Sequence, residues 1–191
     1  GLEIDVKTTS DGEYVCWHDD DLTRVGVDST ITIPTTTLQQ LQTLTLQQTR
    51  KDITYTAHIC TVEEYLAICQ QYHVFPVVEL KWGIGLNNND MTLFPVLYAL
   101  IEKYGLVEET VILTSMKHSI EYIRSNYPQL TCQWLRHQVK EEDYAWCEEW
   151  DVTLSVAHTS VTEDVVLRSQ QISKDVATWT VNHIEDYQRV K

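Results

Sequence analysis

The feature that most restricts the fold of this chain is a repeated alternation of short apolar runs with longer segments of helical periodicity. The runs, which are rich in Val, Ile, Leu and Thr, predict strands at residues 2–9, 75–81, 110–115, 130–135, 152–157 and 176–182. One of the intervening segments begins with the capping box Thr61-Val62-Glu63-Glu64, which predicts a helix start. Strands that alternate with helices form βαβ units with parallel pairing. The sequence therefore predicts an α/β fold with six parallel strands.

Two further facts limit which α/β fold the chain can adopt. Neither of the glycine-rich phosphate loops, G-x-G-x-x-G and G-x-x-x-x-G-K-[S/T], occurs in the chain, which argues against dinucleotide-binding and P-loop folds. A TIM (β/α)₈ barrel fits the alternation, but it typically needs about 250 residues. Because the chain has 191 residues and opens with a strand pattern at Gly1, we expect a barrel whose first and last strands are missing from this chain. We also expect the natural N-terminus to lie upstream of Gly1.

Length and composition predict one domain over residues 1–191, with a small insertion at about 20–60. The insertion is rich in Thr and Gln, and the spacing of Leu38, Leu41 and Leu44 favours one short helix. Disorder is one interpretation of residues 47–55, although Leu, Ile and Tyr recur too often for a simple linker.

Charge and cysteine usage argue against several classes of function. The chain carries 28 acidic and 14 basic residues, a formal net charge of -14, which disfavours nucleic acid as a partner and charge-driven adsorption to an anionic membrane. No apolar run approaches the roughly 20 residues that span a bilayer. The five scattered cysteines contain no CxxC pair, which predicts free buried thiols and favours a cytoplasmic location over export.

Acidic side chains stand inside two predicted strands, where they are ordinarily rare. Glu3 and Asp5 lie two positions apart on the first strand, and Glu79 and Lys81 repeat this spacing on the next parallel strand. Residues two apart share one face of a strand, so three carboxylates and one ammonium are expected on a common face. Such a cluster either raises the pKa values of its carboxylic groups or binds a cation, and oxygen ligands suit Mg²⁺ or Ca²⁺. Solvated ion pairs on an outer strand face are the alternative interpretation.

A turn pattern after the first strand adds a histidine to this cluster. If Asp11 and Gly12 form a two-residue loop, Asp5 pairs with His18 across a hairpin, whereas a three-residue loop shifts the pairing. Imidazole titrates near neutral pH, so His18 is a candidate general acid that protonates a leaving alkoxide. A solvent-exposed histidine at the end of a hairpin is the alternative interpretation.

These residues resemble the glycerophosphodiester phosphodiesterase family. The segment Glu3-Ile4-Asp5-Val6, Asp11-Gly12 and His18-Asp19 with Leu22 and Arg24 is similar to the family's ExDV, DG and HD–L–R motifs. The likeness continues at Thr61–Leu66, Val78–Lys81, Ser115 and Trp179–Asn182, so that it spans most of the chain. The resemblance implies a TIM barrel of the phospholipase C-like phosphodiesterase type.

The resemblance also implies residue roles. Glu3, Asp5 and Glu79 look like the ligands of one divalent cation, and His18 looks like a catalytic histidine. Lys81 and Trp179 look like contacts of the substrate. The family's other catalytic histidine belongs to a His-Arg-Gly motif on the first barrel strand, so this chain by itself is expected to be catalytically incomplete.

For function, the resemblance implies metal-dependent hydrolysis of small-molecule glycerophosphodiesters to an alcohol and sn-glycerol 3-phosphate, by general acid–base catalysis. Two alternatives stay open: a non-catalytic barrel that binds a phosphorylated ligand, and a phospholipase D-like lyase that forms a cyclic phosphate. The insertion at about 20–60 is expected to shape the pocket for the alcohol group.

Overall fold

The computed structural model describes residues 1–81 and 90–191. The chain divides into two compact units, Gly1–Thr110 and Val111–Lys191. Each unit alternates strands with helices in the way that the sequence predicts. None of the helices in the two described ranges is long and apolar enough to cross a bilayer.

The first unit is organised around its N-terminal strand. Its strands and helices are β1 (Leu2–Thr8), β2 (Tyr14–Cys16), α1 (Leu38–Gln42), β3 (Leu46–Arg50), β4 (Ile53–Ala57), α2 (Val62–Tyr72), β5 (Pro76–Leu80) and α3 (Phe94–Lys103). Strand β1 pairs with β2 in antiparallel fashion and with β5 in parallel fashion. The hydroxyl of Tyr65, on α2, donates to the Leu2 carbonyl oxygen at 2.7 Å and accepts from the Val77 N–H at 3.1 Å. This helix residue therefore ties the starts of β1 and β5 together.

Local sequence explains where α2 and α3 begin and end. The Thr61 hydroxyl accepts from the Glu64 N–H, and the Glu64 carboxylate accepts from the Thr61 N–H, which confirms the predicted capping box. Helix α3 has Pro95 in its first turn, and Gly105 follows its end with a φ of 68°. Residues 82–89 of the predicted strand-to-helix connection lie outside the described residues.

The segment between β2 and the cap of α2, residues 17–60, forms an excursion whose apolar cluster also includes one residue of β2. Helix α1 confirms the short helix that the leucine spacing predicts. Strands β3 and β4 form an antiparallel hairpin, in which the hydroxyls of Thr49 and Thr54 are hydrogen-bonded at 3.0 Å. The interpretation of residues 47–55 as disordered is therefore wrong, because cross-strand pairing orders them. The cluster consists of the buried side chains Val15, Leu22, Val25, Ile33, Leu41, Leu46 and Ile59.

The second unit is a parallel sheet with its connecting helices. Its elements are β6 (Val111–Thr114), α4 (Lys117–Asn126), β7 (Thr131–Arg136), α5 (Glu141–Trp150), β8 (Thr153–Ala157), α6 (Glu163–Gln171), β9 (Val176–Trp179) and α7 (Ile184–Val190). The strands pair side by side in chain order, all in parallel. The last strand is shorter than the predicted range 176–182, because the chain turns after Trp179 towards His183, which caps α7.

The cysteines follow the sequence prediction only in part. All five are free. Cys69, Cys132 and Cys147 are buried as expected, whereas Cys16 and Cys60 are partly exposed. The expectation of buried thiols is therefore wrong for the two cysteines at the ends of the excursion.

Candidate metal centre and catalytic residues

The predicted carboxylates come together where β1 and β5 pair. The parallel register places Asp5 beside Glu79 and Glu3 beside Val77. Glu3, Asp5 and Glu79 each offer one carboxylate oxygen, and these oxygens lie within 4.8 Å of one another. Because side chains two apart point to one face of a strand, the spacing within β1 and the register with β5 together produce this cluster.

One ammonium group, that of Lys81, contacts two of the three carboxylates. Its Nζ lies 3.2 Å from Asp5 Oδ1 and 3.6 Å from Glu79 Oε1. The three side chains are 20%, 16% and 18% exposed for Lys81, Asp5 and Glu79. Asp5 and Glu79 are therefore largely shielded from water, where repulsion between like charges is strong, whereas Glu3 is exposed to solvent.

The pKa values of the glutamic acids reflect this imbalance. Partial desolvation of its carboxylate, together with the charges of Asp5 and Glu79, raises the pKa of Glu3 to about 7, against the opposing effects of Lys81 and His18. Burial, followed by the charge of Asp5, also raises the pKa of Glu79. The ionised form of the cluster is thus disfavoured unless additional positive charge is present.

The donor set fits a hard divalent cation. Asp5 Oδ1 is buried and accepts no hydrogen bond from the part of the chain that the structure describes. The 3.2 Å contact of this oxygen with Lys81 Nζ is an ion pair without hydrogen-bond geometry. Three carboxylates supply only oxygen ligands, which Mg²⁺ and Ca²⁺ prefer, and a double positive charge would offset their repulsion. The residues present therefore fit the cation that the family resemblance implies.

The predicted direct pairing of Asp5 with His18 is wrong. The register pairs Val6 with Cys16, so that Asp5 lies opposite Trp17. The N–H of Trp17 donates to the Asp5 carbonyl oxygen at 2.9 Å. The strand register differs by one residue from the register that a two-residue loop would give. His18 therefore lies one position past Trp17, the residue opposite Asp5.

Hydrogen bonds at the base of the hairpin explain the shift. The N–H of Thr9 donates to the Glu13 carbonyl oxygen at 2.9 Å, and the N–H of Glu13 donates to the Thr9 hydroxyl at 3.0 Å. Residues 10–12 are left as a three-residue loop, in which Gly12 has a φ of 83°. A left-handed residue at the end of such a loop is typical, and glycine adopts it without strain.

His18 still lies next to β1, because it directly follows Trp17, whose N–H is hydrogen-bonded to Asp5. Its Nδ1 is 2.6 Å from Asp19 Oδ1, and Arg24 Nε is 3.0 Å from Asp19 Oδ2. A carboxylate on one ring nitrogen orients the imidazole and leaves proton transfer to the other, Nε2. Sequence analysis gave Asp19 and Arg24 no role, although an aspartate directly after the histidine was the available signal.

Sequence analysis also missed Lys7, which follows Glu3 and Asp5 at the same two-residue spacing on β1. Its side chain is 9% exposed, and its Nζ lies 2.5 Å from Asp20 Oδ1. A buried ammonium needs a partner, and the excursion supplies one. The pair connects β1, which carries two of the three clustered carboxylates, to the start of the excursion.

Trp179, the remaining predicted site residue, ends β9 in the second unit. Its indole N–H donates to the Ser155 carbonyl oxygen at 3.0 Å, and its ring meets His137 edge-on with the centroids 4.8 Å apart. His137 lines a cavity of ≈ 500 Å³ at the carboxyl ends of β6, β7 and β8, together with Ser115, Arg136, Lys140, Thr159 and Ser160. The carboxyl ends of parallel strands are where TIM barrels bind ligands. The contact of Trp179 with substrate stays a prediction.

The sequence matches the model of one protein family but no individual curated protein. The sequence model of the glycerophosphoryl diester phosphodiesterase family matches residues 1–191. No curated protein has a significantly similar sequence.

Solved structures resemble the chain over almost its whole length. A Silicibacter pomeroyi protein assigned as a glycerophosphoryl diester phosphodiesterase is 20% identical, with a TM-score of 0.82 over 98% of this chain and 75% of that chain. An Oleispira antarctica phosphodiesterase, solved with its product sn-glycerol-3-phosphate, is 16% identical, with a TM-score of 0.80 over 98% and 75%. A glycerophosphodiester phosphodiesterase of Agrobacterium tumefaciens is 14% identical, with a TM-score of 0.78 over 98% and 78%. These likenesses confirm the predicted fold class, an α/β fold of the TIM-barrel type.

Proposed function

Because the chain belongs to the glycerophosphoryl diester phosphodiesterase family, and so to the phosphoric diester hydrolases, we propose that its carboxylate cluster binds one divalent cation for the hydrolysis of glycerophosphodiesters. The products are an alcohol and sn-glycerol 3-phosphate. One observation carries the proposal: three carboxylate oxygens lie within 4.8 Å of one another where β1 pairs with β5.

Glu3, Asp5 and Glu79 are the proposed ligands of Mg²⁺ or Ca²⁺. A cation held there supplies positive charge to the phosphoryl oxygens of the substrate and stabilises the charge that develops on them. The ligand side chains stand on two strands whose backbones are hydrogen-bonded to each other. Tyr65 ties the starts of both strands, so the spacing of the three carboxylates is built into the sheet before any ligand binds.

Lys81 and His18 act on the substrate in this proposal. The ammonium of Lys81, held beside Asp5 and Glu79, donates to a phosphoryl oxygen and adds a further positive charge. His18 transfers a proton from Nε2 to the leaving alkoxide, while Asp19 holds Nδ1. The family resemblance adds Trp179 as a contact of the glycerol moiety.

The activity is tested with the full-length protein and glycerophosphocholine. We expect release of glycerol 3-phosphate in Mg²⁺ or Ca²⁺ and loss of turnover in a chelator. Phosphorus NMR of the product separates the alternatives. A cyclic phosphate would identify a lyase, and binding of glycerol 3-phosphate without turnover would identify a non-catalytic barrel.

The role of His18 is tested by changing the leaving group. His18→Ala is expected to lower turnover of glycerophosphocholine by about 10²- to 10⁴-fold. The loss of turnover should be much smaller with the p-nitrophenyl ester of glycerol 3-phosphate, because p-nitrophenolate leaves without taking up a proton. His73→Asn, which keeps the left-handed conformation at the end of α2, is the matched control. An equal loss on both substrates would contradict the role of His18 as general acid.

A further inference from the structure

Two cysteines stand at the two ends of the excursion. Cys16 is the last residue of β2, and Cys60 directly precedes Thr61, the cap of α2. An isolated antiparallel bridge joins Val15 to Thr61, and the N–H of Cys16 donates to the Cys60 carbonyl oxygen at 2.8 Å. Residues 16 and 60 are therefore directly opposed, although the whole excursion separates them along the chain.

The opposed positions bring the two thiols together. Both Sγ atoms donate to the carbonyl oxygen of Thr61, at 3.6 Å from Cys16 and 3.4 Å from Cys60. The neighbouring Cys60 thiol, together with burial, raises the pKa of Cys16, whereas the neighbouring Cys16 thiol lowers the pKa of Cys60. Opposed residues of this antiparallel type have Cα atoms about 5.5 Å apart, which lies inside the range of about 4.4–6.8 Å that a disulfide spans.

Small reagents can reach this pair. Cys16 and Cys60 are partly exposed and both line a cavity of ≈ 270 Å³ beside the β3–β4 hairpin. The three other cysteines are buried, and burial raises the pKa of each thiol. Thiol chemistry on the folded chain is therefore directed to the pair at the base of the excursion.

We propose that Cys16 and Cys60 form a reversible disulfide that closes the base of the excursion. The oxidant is a small-molecule disulfide. The Cys60 thiolate attacks one of its sulfur atoms, forms a mixed disulfide and releases one small thiol. Cys16 then loses its proton and attacks the Cys60 sulfur, and the second small thiol leaves. Two protein thiols are oxidised, the small-molecule disulfide is reduced to two thiols, and these carry both protons.

Closure has a structural consequence for the excursion. The bond closes a loop that contains His18, most of the apolar cluster and the β3–β4 hairpin. A cross-link over a loop of this length restricts the unfolded chain strongly. The oxidised protein should therefore melt roughly 5–10 °C above the reduced protein. This expectation is independent of whether the chain hydrolyses a phosphodiester.

The test uses the folded full-length protein in a buffer of oxidised and reduced glutathione. After alkylation, the protein is cleaved with trypsin and with a glutamate-specific protease. Cleavage after Arg24, Arg50 and Lys51 separates Cys16 from Cys60, and cleavage after Glu63 and Glu64 separates Cys60 from Cys69. Mass spectrometry should then find the Cys16 peptide linked to the Cys60 peptide, and dithiothreitol should release both. The same treatment in urea should give mixed pairings, because the fold no longer selects a partner.

Cys16→Ser and Cys60→Ser are the matched variants. Oxidation should raise the melting temperature of the wild type and leave that of both variants unchanged. The proposal is overturned if the native protein forms no link between residues 16 and 60, if other pairings form equally well, or if oxidation leaves the wild-type melting temperature unchanged.

Discussion

The carboxylate cluster of the first unit and Asp151 of the second unit are placed in opposite electrostatic settings. In the first unit, Glu3, Asp5 and Glu79 lie close together, one ammonium contacts two of them, and the pKa values of both glutamic acids are raised. In the second unit, Asp151 follows α5 and contacts two cations, Arg124 at 2.8 Å and Lys174. The hydrogen bond from Lys174 lowers the pKa of Asp151.

We interpret this difference as a separation of acidic groups that stabilise the fold from acidic groups proposed to bind a cation. A carboxylate with cations around it stabilises the folded chain at neutral pH. Carboxylates that repel one another within a partly buried site destabilise the chain until a cation binds. The cluster on β1 and β5 is therefore expected to lower the stability of the metal-free protein, and the contacts of Asp151 to raise it.

The largest expected effect concerns activity. Glu79→Gln keeps the shape of the side chain but removes one ligand charge, so hydrolysis of glycerophosphocholine should fall about 10³-fold or more. Asp151→Asn should change it by less than about twofold, since this residue belongs to a structural ion pair and Asn tolerates its left-handed conformation. Similar losses of activity in Glu79→Gln and Asp151→Asn would contradict the distinction between the carboxylate cluster and the structural ion pair.

A smaller effect, with opposite signs, is expected in unfolding. In a chelator, Glu79→Gln should raise the free energy of unfolding by about 1 kcal/mol, because one repelling charge is gone. Asp151→Asn should lower it by about 0.5 kcal/mol, which is typical of a largely exposed ion pair. Urea denaturation at pH 7 measures both changes. Destabilisation by Glu79→Gln in the chelator would contradict the electrostatic account.

The smallest effect is the pH dependence of stability. The folded pKa of Glu3, about 7, lies above its ordinary value of 4.5, so its ionisation disfavours the folded state. Metal-free wild type should lose stability relative to Glu3→Gln as the pH rises from 4.5 through 7. The contribution of Asp151 to stability changes with pH in the opposite direction, because its pKa in the folded state is lowered. Its contribution is present above the ordinary value of 3.8 and is lost as the pH falls through the folded pKa.

Sequence periodicity was sufficient for the strands and for the cluster. The two-residue spacing of Glu3 and Asp5 depends only on strand geometry, and the pairing of β1 with β5 follows from the alternation of strands and helices. These features could be predicted because each one repeats a local rule.

The errors came from features that depend on a single loop or on distant contacts. One residue in the turn decides whether Asp5 meets His18 or Trp17, and hydrogen bonds of the Thr9 side chain select the longer loop. The Thr-rich β3–β4 hairpin shows no strong apolar alternation and was mistaken for possible disorder. The proximity of Cys16 and Cys60 depends on how the excursion folds back, which no local pattern encodes.

The most direct test of the account is calorimetric titration of the metal-free protein with Mn²⁺, Mg²⁺ and Ca²⁺, followed by a structure with Mn²⁺ located by anomalous scattering. We predict one cation per chain, with ligand oxygens from Glu3, Asp5 and Glu79, and at least about tenfold weaker binding to Glu79→Gln. The account is contradicted if no cation binds at this position, or if Glu79→Gln binds the cation as tightly as the wild type.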